Sequence, residues 1–144
     1  MFSQIATSVA AISILSLGTP PLEIAQASDR YANWIYLYED SFQTSAGEQI
    51  TQAWWLNPDV IRRNTFIEFS LLARRTPVSS NGTAAAVFDY IADCGAMSHA
   101  LKKTTLLDSS DAVIDTQTNH RPMAPTNPEE PFHEVLQDLC GGMY

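Results

Sequence analysis

Two cysteines, Cys94 and Cys140, three histidines, His99, His120 and His133, and the acids Asp108, Asp111 and Asp115 have the most chemistry to offer in this chain. A thiol serves as nucleophile, metal ligand or half of a disulfide, and its neighbours decide which. A nucleophilic cysteine wants a basic, partly exposed setting that lowers its pKa. Cys94 instead follows Asp93, whose charge acts the other way. A zinc site wants more ligands at short spacing, of the C-x-x-C type, and that spacing is missing. An even pair with no third cysteine to compete is most simply a disulfide if the chain enters an oxidising compartment.

The remaining candidates are scattered. The histidines form neither H-x-x-x-H nor H-E-x-x-H, and no G-x-S-x-G or P-loop is present. A metal site built from His120 and nearby acids is the residual option. Asp108, Asp111 and Asp115 suggest calcium only superficially, because an EF-hand loop needs ligands at alternate positions and a central glycine. Polarity of a hairpin loop accounts for Asp108 and Asp111 more simply. The pairs Arg62-Arg63, Arg74-Arg75 and Lys102-Lys103 would form a patch if their strands align; the plainer expectation is strand-edge charge that discourages aggregation. Trp54-Trp55 are adjacent on a strand and so face opposite sides. One exposed beside Tyr36 or Tyr38 would make an aromatic binding face of the kind enriched at interfaces.

The compartment is decided at the N-terminus. Residues 5–17 are an uncharged apolar run, shorter than the about 20 residues of a membrane-spanning helix. Gly18, Pro20 and Pro21 break it, and Ala25-Gln26-Ala27 is a small-x-small site. The expectation is a secretory signal over residues 1–27, with no transmembrane anchor after its cleavage and a single domain over 28–144. Export makes the Cys94–Cys140 bridge the preferred pairing. The chain has 144 residues, 8 Lys plus Arg against 16 Asp plus Glu, a net charge of −8 and 45% hydrophobic residues. That is one hydrophobic core rather than a multidomain enzyme or a disordered chain. The acidity excludes nucleic acid as the main partner, since phosphate neutralisation needs clustered bases.

The elements that must position these groups are mostly strands. Trp34, Tyr36 and Tyr38 alternate with Ile35 and Leu37 over 31–38, and 49–55 and 65–74 alternate likewise. Ser79-Ser80-Asn81-Gly82 is a turn, with Asn-Gly the strongest short hairpin signal. Residues 83–94 suit a helix by their three alanines and a strand by Val87, Phe88, Tyr90 and Ile91; the strand is preferred as partner for 65–74. Segments 98–107 and 112–117 flank a polar loop and form a hairpin. Asn127 as cap and Pro128 at the first position open a terminal helix. Its stripe is Phe132, Val135, Leu136 and Leu139, and Gly141-Gly142 end it.

Several of these features occur together in a known pattern. A secretory signal precedes a Trp-Ile-Tyr-Leu strand at Trp34, then Phe88-Asp89-Tyr90-Ile91-Ala92-Asp93-Cys94, a basic strand at Lys102-Lys103, a polar hairpin, and a Pro-rich approach to a helix ending Asp138-Leu139-Cys140. This resembles the surface-adhesin E-like family of small exported bacterial domains over nearly all of residues 28–144. The resemblance implies an α+β fold, an antiparallel sheet of about six strands with the C-terminal helix packed on one face and the two cysteines joined. The expected function is surface interaction without catalysis or cofactor, adhesin-like or in the envelope, with a protein or cell-surface partner. The alternative is a periplasmic small-ligand or metal-binding module. The expected location is the periplasm, cell surface or medium.

Overall fold

The computed structural model describes residues 29–144, so the signal segment expected over 1–27 lies outside the described residues. Among the described residues eight strands form one antiparallel sheet: β1 (Ile35–Gln43), β2 (Gln49–Leu56), β3 (Ile61–Arg63), β4 (Phe66–Thr76), β5 (Ala85–Asp93), β6 (Ser98–Leu107), β7 (Val113–Thr118) and β8 (Ala124–Pro125). The main path runs β1-β2-β4-β5-β6-β7. β3 continues the line of β2 along the far half of β4, and β8 does the same for β7 along β6. The α-helix α1 (Pro131–Cys140) follows the strands. Six strands plus a terminal helix is the expected α+β architecture, and the two additional strands are too short to carry a sequence period. No helix among the described residues is long and apolar enough to cross a membrane.

Alternation along each strand gives the sheet two distinct faces. On one face Leu56, Ile67, Phe69, Leu71 and Ala92 meet Val135, Leu136 and Leu139 of α1, forming the main core. Each of those helix residues is buried, and each contributes about 1.5–3 kcal/mol by leaving water. The other face carries a smaller cluster in which Leu72, Ala85 and Leu107 are capped by Tyr31, Trp34, Trp55 and Val87.

Local boundaries depart from expectation in three places. β1 begins at Ile35 rather than residue 31, because Asp29–Tyr31 closes a 3₁₀ turn that folds Tyr31 and Trp34 edge to face, 5.1 Å between ring centres, over the smaller cluster. It then runs on through the polar Asp40 and Ser41, which pair with Gln52 and Thr51 instead of forming a loop. α1 starts at Pro131, three residues later than expected. Asn127 does not cap it: its Oδ1 accepts from the Glu129 amide at 3.1 Å and closes a separate turn, while Pro131 fills a first-turn position where an amide proton has no partner to lose. Residues 83–94 resolve as a strand. β5 lies between β4 and β6 and pairs with both over its whole length, which outweighs the helix preference of three alanines. The Asn81-Gly82 turn joins β4 to β5, and Gly82 takes the positive φ of +87° that this turn requires.

Candidate functional site

Cys94 and Cys140 are joined, with Cα atoms 5.5 Å apart. The bridge ties the end of β5 to the last residue of α1, and both sulfurs pack against the main core. Neither is a thiol, so nucleophilic and metal-binding readings of the pair do not apply to this state.

The three histidines lie on separate elements. His99, on β6, is wedged beneath the start of α1: its ring centre lies 4.5 Å from Phe132 and 5.9 Å from Tyr90, and Nδ1 is 2.7 Å from the Thr126 hydroxyl. Burial holds this imidazole below its ordinary pKa, against a smaller opposite pull from Glu130. His133 is half-buried on α1 with Nδ1 unsatisfied among the described residues, and His120 is exposed in the segment before β8. Among the described residues no three His, Cys, Asp or Glu side chains are grouped to hold a metal.

The three aspartates around the β6–β7 hairpin do different work. Asp108 organises the loop, accepting from the Ser110 amide and hydroxyl at 2.9 and 2.8 Å and from the Ala112 amide at 3.0 Å. The Ser110 hydroxyl and these amides hold its carboxyl below the ordinary range. Asp115 accepts from its neighbour's amide at Thr116. Asp111 differs from the expected loop polarity: it is only 3% exposed, has φ 63°, and accepts both guanidinium nitrogens of Arg74 at 2.7 and 3.0 Å. Arg74 in turn lies over the Tyr31 ring, 5.7 Å from its centre. A loop residue and a strand residue 37 positions apart thus lock the hairpin onto the sheet.

The paired bases do not merge into a patch, and strand-edge charge is not their common role either. Arg74 and Lys103 sit on β4 and β6, inside the sheet, and each has a specific acidic partner: Asp111 for the first, Asp89 at 3.3 Å for the second. Arg62 reaches the carbonyl of Leu139 at 2.7 Å and so clamps the end of α1 to β3. Arg75 donates to the Pro77 carbonyl.

Trp54 and Trp55 do face opposite sides. Trp54 stacks between Tyr38 and Phe88 on the helix side, with ring centres 6.0 and 5.7 Å away, and its indole N–H donates to Asp40 Oδ1 at 3.1 Å. Trp55 meets Tyr36 edge to face at 5.6 Å on the helix-free side, where Tyr36 is 56% exposed. Register carries this side further along the sheet. Next comes a polar band in which the Ser70 hydroxyl donates to Asp89 and Asp89 pairs with Lys103. Beyond it lie Ile61, Phe66 and Ile91, the first two 49% and 42% exposed. The helix-free face therefore offers aromatic surface, a charged band and aliphatic surface in sequence. It offers contact area and polar register. The Tyr36–Trp55 half was foreshadowed by the tryptophan pair. The Ile61–Phe66 half was not, because β3 is three residues long and too short for alternation to show.

Compared with protein-family models, curated proteins and solved structures, the chain matches none.

Proposed function

We propose that this chain is an exported, disulfide-bonded domain, of the surface-adhesin E-like kind, that works by surface contact and not by catalysis. The observation that carries the reading is the helix-free face, where Tyr36, Ile61 and Phe66 stand exposed on a rigid sheet beside a specific polar band. Aromatic and aliphatic side chains held on paired strands lose little conformational freedom on binding, which suits a contact surface. The apolar run over 5–17 with Ala25-Gln26-Ala27, together with the Cys94–Cys140 bridge, supports export to the periplasm, cell surface or medium.

The test is saturable binding of purified protein to envelope and matrix fractions, compared with a Tyr36→Ser/Phe66→Ser variant. Both positions are about half exposed, so the variant should stay folded and melt only modestly below the parent, by the Tyr36–Trp55 ring contact and strand preference it loses, while its binding falls at least tenfold. No saturable binding in any fraction, or binding that ignores the double substitution, would count decisively against the reading. A thermal-shift panel of metal ions and small ligands runs alongside, and a clear upward shift would favour a ligand-binding module instead.

A further inference from the structure

A second surface lies away from that face, between the edge strand β1 and α1. It is a groove of about 320 Å³ floored by Tyr38, Val135 and Tyr144, with the carboxylates of Asp40, Glu134 and Asp138 around it. No Lys or Arg lines it, and among the described residues none of these three acids is ion-paired. Asp138 is placed against the electrostatics of the helix, whereas Glu134 stands in the first turn, where the dipole favours an acid. Glu134 and Asp138 are four residues apart and stack like charges on one side of α1. Asp138 stands in the last turn, where the helix dipole favours a cation; α1 supplies none of its own, and the cation at this end is Arg62 of β3, which donates to the Leu139 carbonyl. On the floor, burial first, then the charges of Asp40 and Glu130, push the Tyr38 hydroxyl up to about 12. An apolar floor beneath three carboxylates that no ion pair among the described residues neutralises, with Asp40 accepting the Trp54 indole N–H, is complementary to a long side chain with a methylene stem and a cationic head.

We propose that the β1–α1 groove docks an arginine-bearing basic segment of a partner protein. The stem lies on Tyr38 and Val135, and the planar guanidinium bridges Asp40 to the Glu134–Asp138 pair. Arginine fits better than lysine because its fork serves two carboxylates at once and its plane stacks on a tyrosine ring. Occupancy would relieve the like-charge stacking on α1, so the bound helix should be more stable than the free one.

The test uses the full chain and a labelled peptide alternating Arg and Leu, with a peptide carrying neutral citrulline for each Arg as its control, followed by fluorescence anisotropy at low and moderate salt. Binding should require the Arg peptide and weaken with salt. Glu134→Gln/Asp138→Asn should weaken it about fivefold, the effect of removing two partly exposed ion pairs. The same variant should melt close to the parent, since the like-charge repulsion it removes offsets the dipole contact that Glu134 loses. Asp115→Asn, an equally acidic site on β7, should leave binding unchanged. Equal binding of the citrulline peptide, indifference to the double substitution, or an equal loss in Asp115→Asn would each overturn the assignment. None of these outcomes touches the helix-free face, whose own test depends on Tyr36 and Phe66.

Discussion

Reducing the Cys94–Cys140 bridge should remove a large share of this domain's stability. The two residues are 46 positions apart, so the bond restrains a loop of that length in the unfolded chain. The loop-entropy relation then gives roughly 4 kcal/mol at room temperature. An ordinary domain has about 5–15 kcal/mol in total, so the reduced protein should stay folded with about 1–11 kcal/mol remaining. Urea unfolding with and without a phosphine reductant measures this directly. With a slope of about 2 kcal/mol per molar urea, the midpoint should fall by about 2 M. Both sulfurs also pack against the main core, so replacing them confounds chain entropy with lost packing. Reduction avoids that, because the side chains stay in place. Cys94→Ala/Cys140→Ala should then lie close to the reduced parent, lower by about 1 kcal/mol for the lost contacts. A midpoint shift under about 0.5 M on reduction, roughly 1 kcal/mol, would refute the reasoning: the unfolded chain would already be as compact as the bridge makes it.

Two further perturbations follow from side chains whose roles the fold defines. Asp111→Asn keeps a residue that tolerates the left-handed backbone but leaves the Arg74 guanidinium without its anion; because Arg74 retains 32% exposure and can turn to water, the loss should be about 2 kcal/mol rather than the 3–5 of a fully buried pair. Thermal melts that coincide with the parent's would sink it. Acid should weaken the fold through His99, whose folded pKa is depressed by burial. Its contribution is complete above the unfolded value of about 6.5 and is lost as pH falls below it toward the folded value. His99→Gln should flatten that part of the stability-against-pH curve, and an unchanged slope would show that other groups cause it. At the alkaline end Tyr38 and Tyr90, both raised to about 12 by burial, should lose stability as pH rises from about 10 through 12.

Much of the architecture is legible in the sequence because the relevant signals are local and repeated. Alternation in β2, β4 and β6, the Asn81-Gly82 turn and the Phe132, Val135, Leu136, Leu139 stripe each report one element's own burial. What misleads is any residue whose local preference competes with a distant partner. Asn127 has the chemistry of a helix cap and is spent on its own turn. Asp40 and Ser41 look like loop residues and are held in a strand by β2. The three alanines before Val87 lean toward helix and are held extended by β4 and β6 together.

The sites divide along the same line. Sequence alone determined that two cysteines should pair, that Trp54 and Trp55 should face opposite sides, and that no catalytic motif is present, because those conclusions need only composition, parity and spacing. It could not say which faces the helix would leave open. That depends on where α1 lands, and its place is decided by Leu136 and Leu139 packing on Leu56, Phe69 and Leu71 while Cys140 meets Cys94. The same docking sets Glu134 and Asp138 opposite Asp40, nearly a hundred residues earlier in the chain, and tertiary structure alone also carries Asp111 onto Arg74. Charge patterns within one element are readable in order along the chain; charges that meet across elements belong to the packing, since only burial and register bring them within reach of one another.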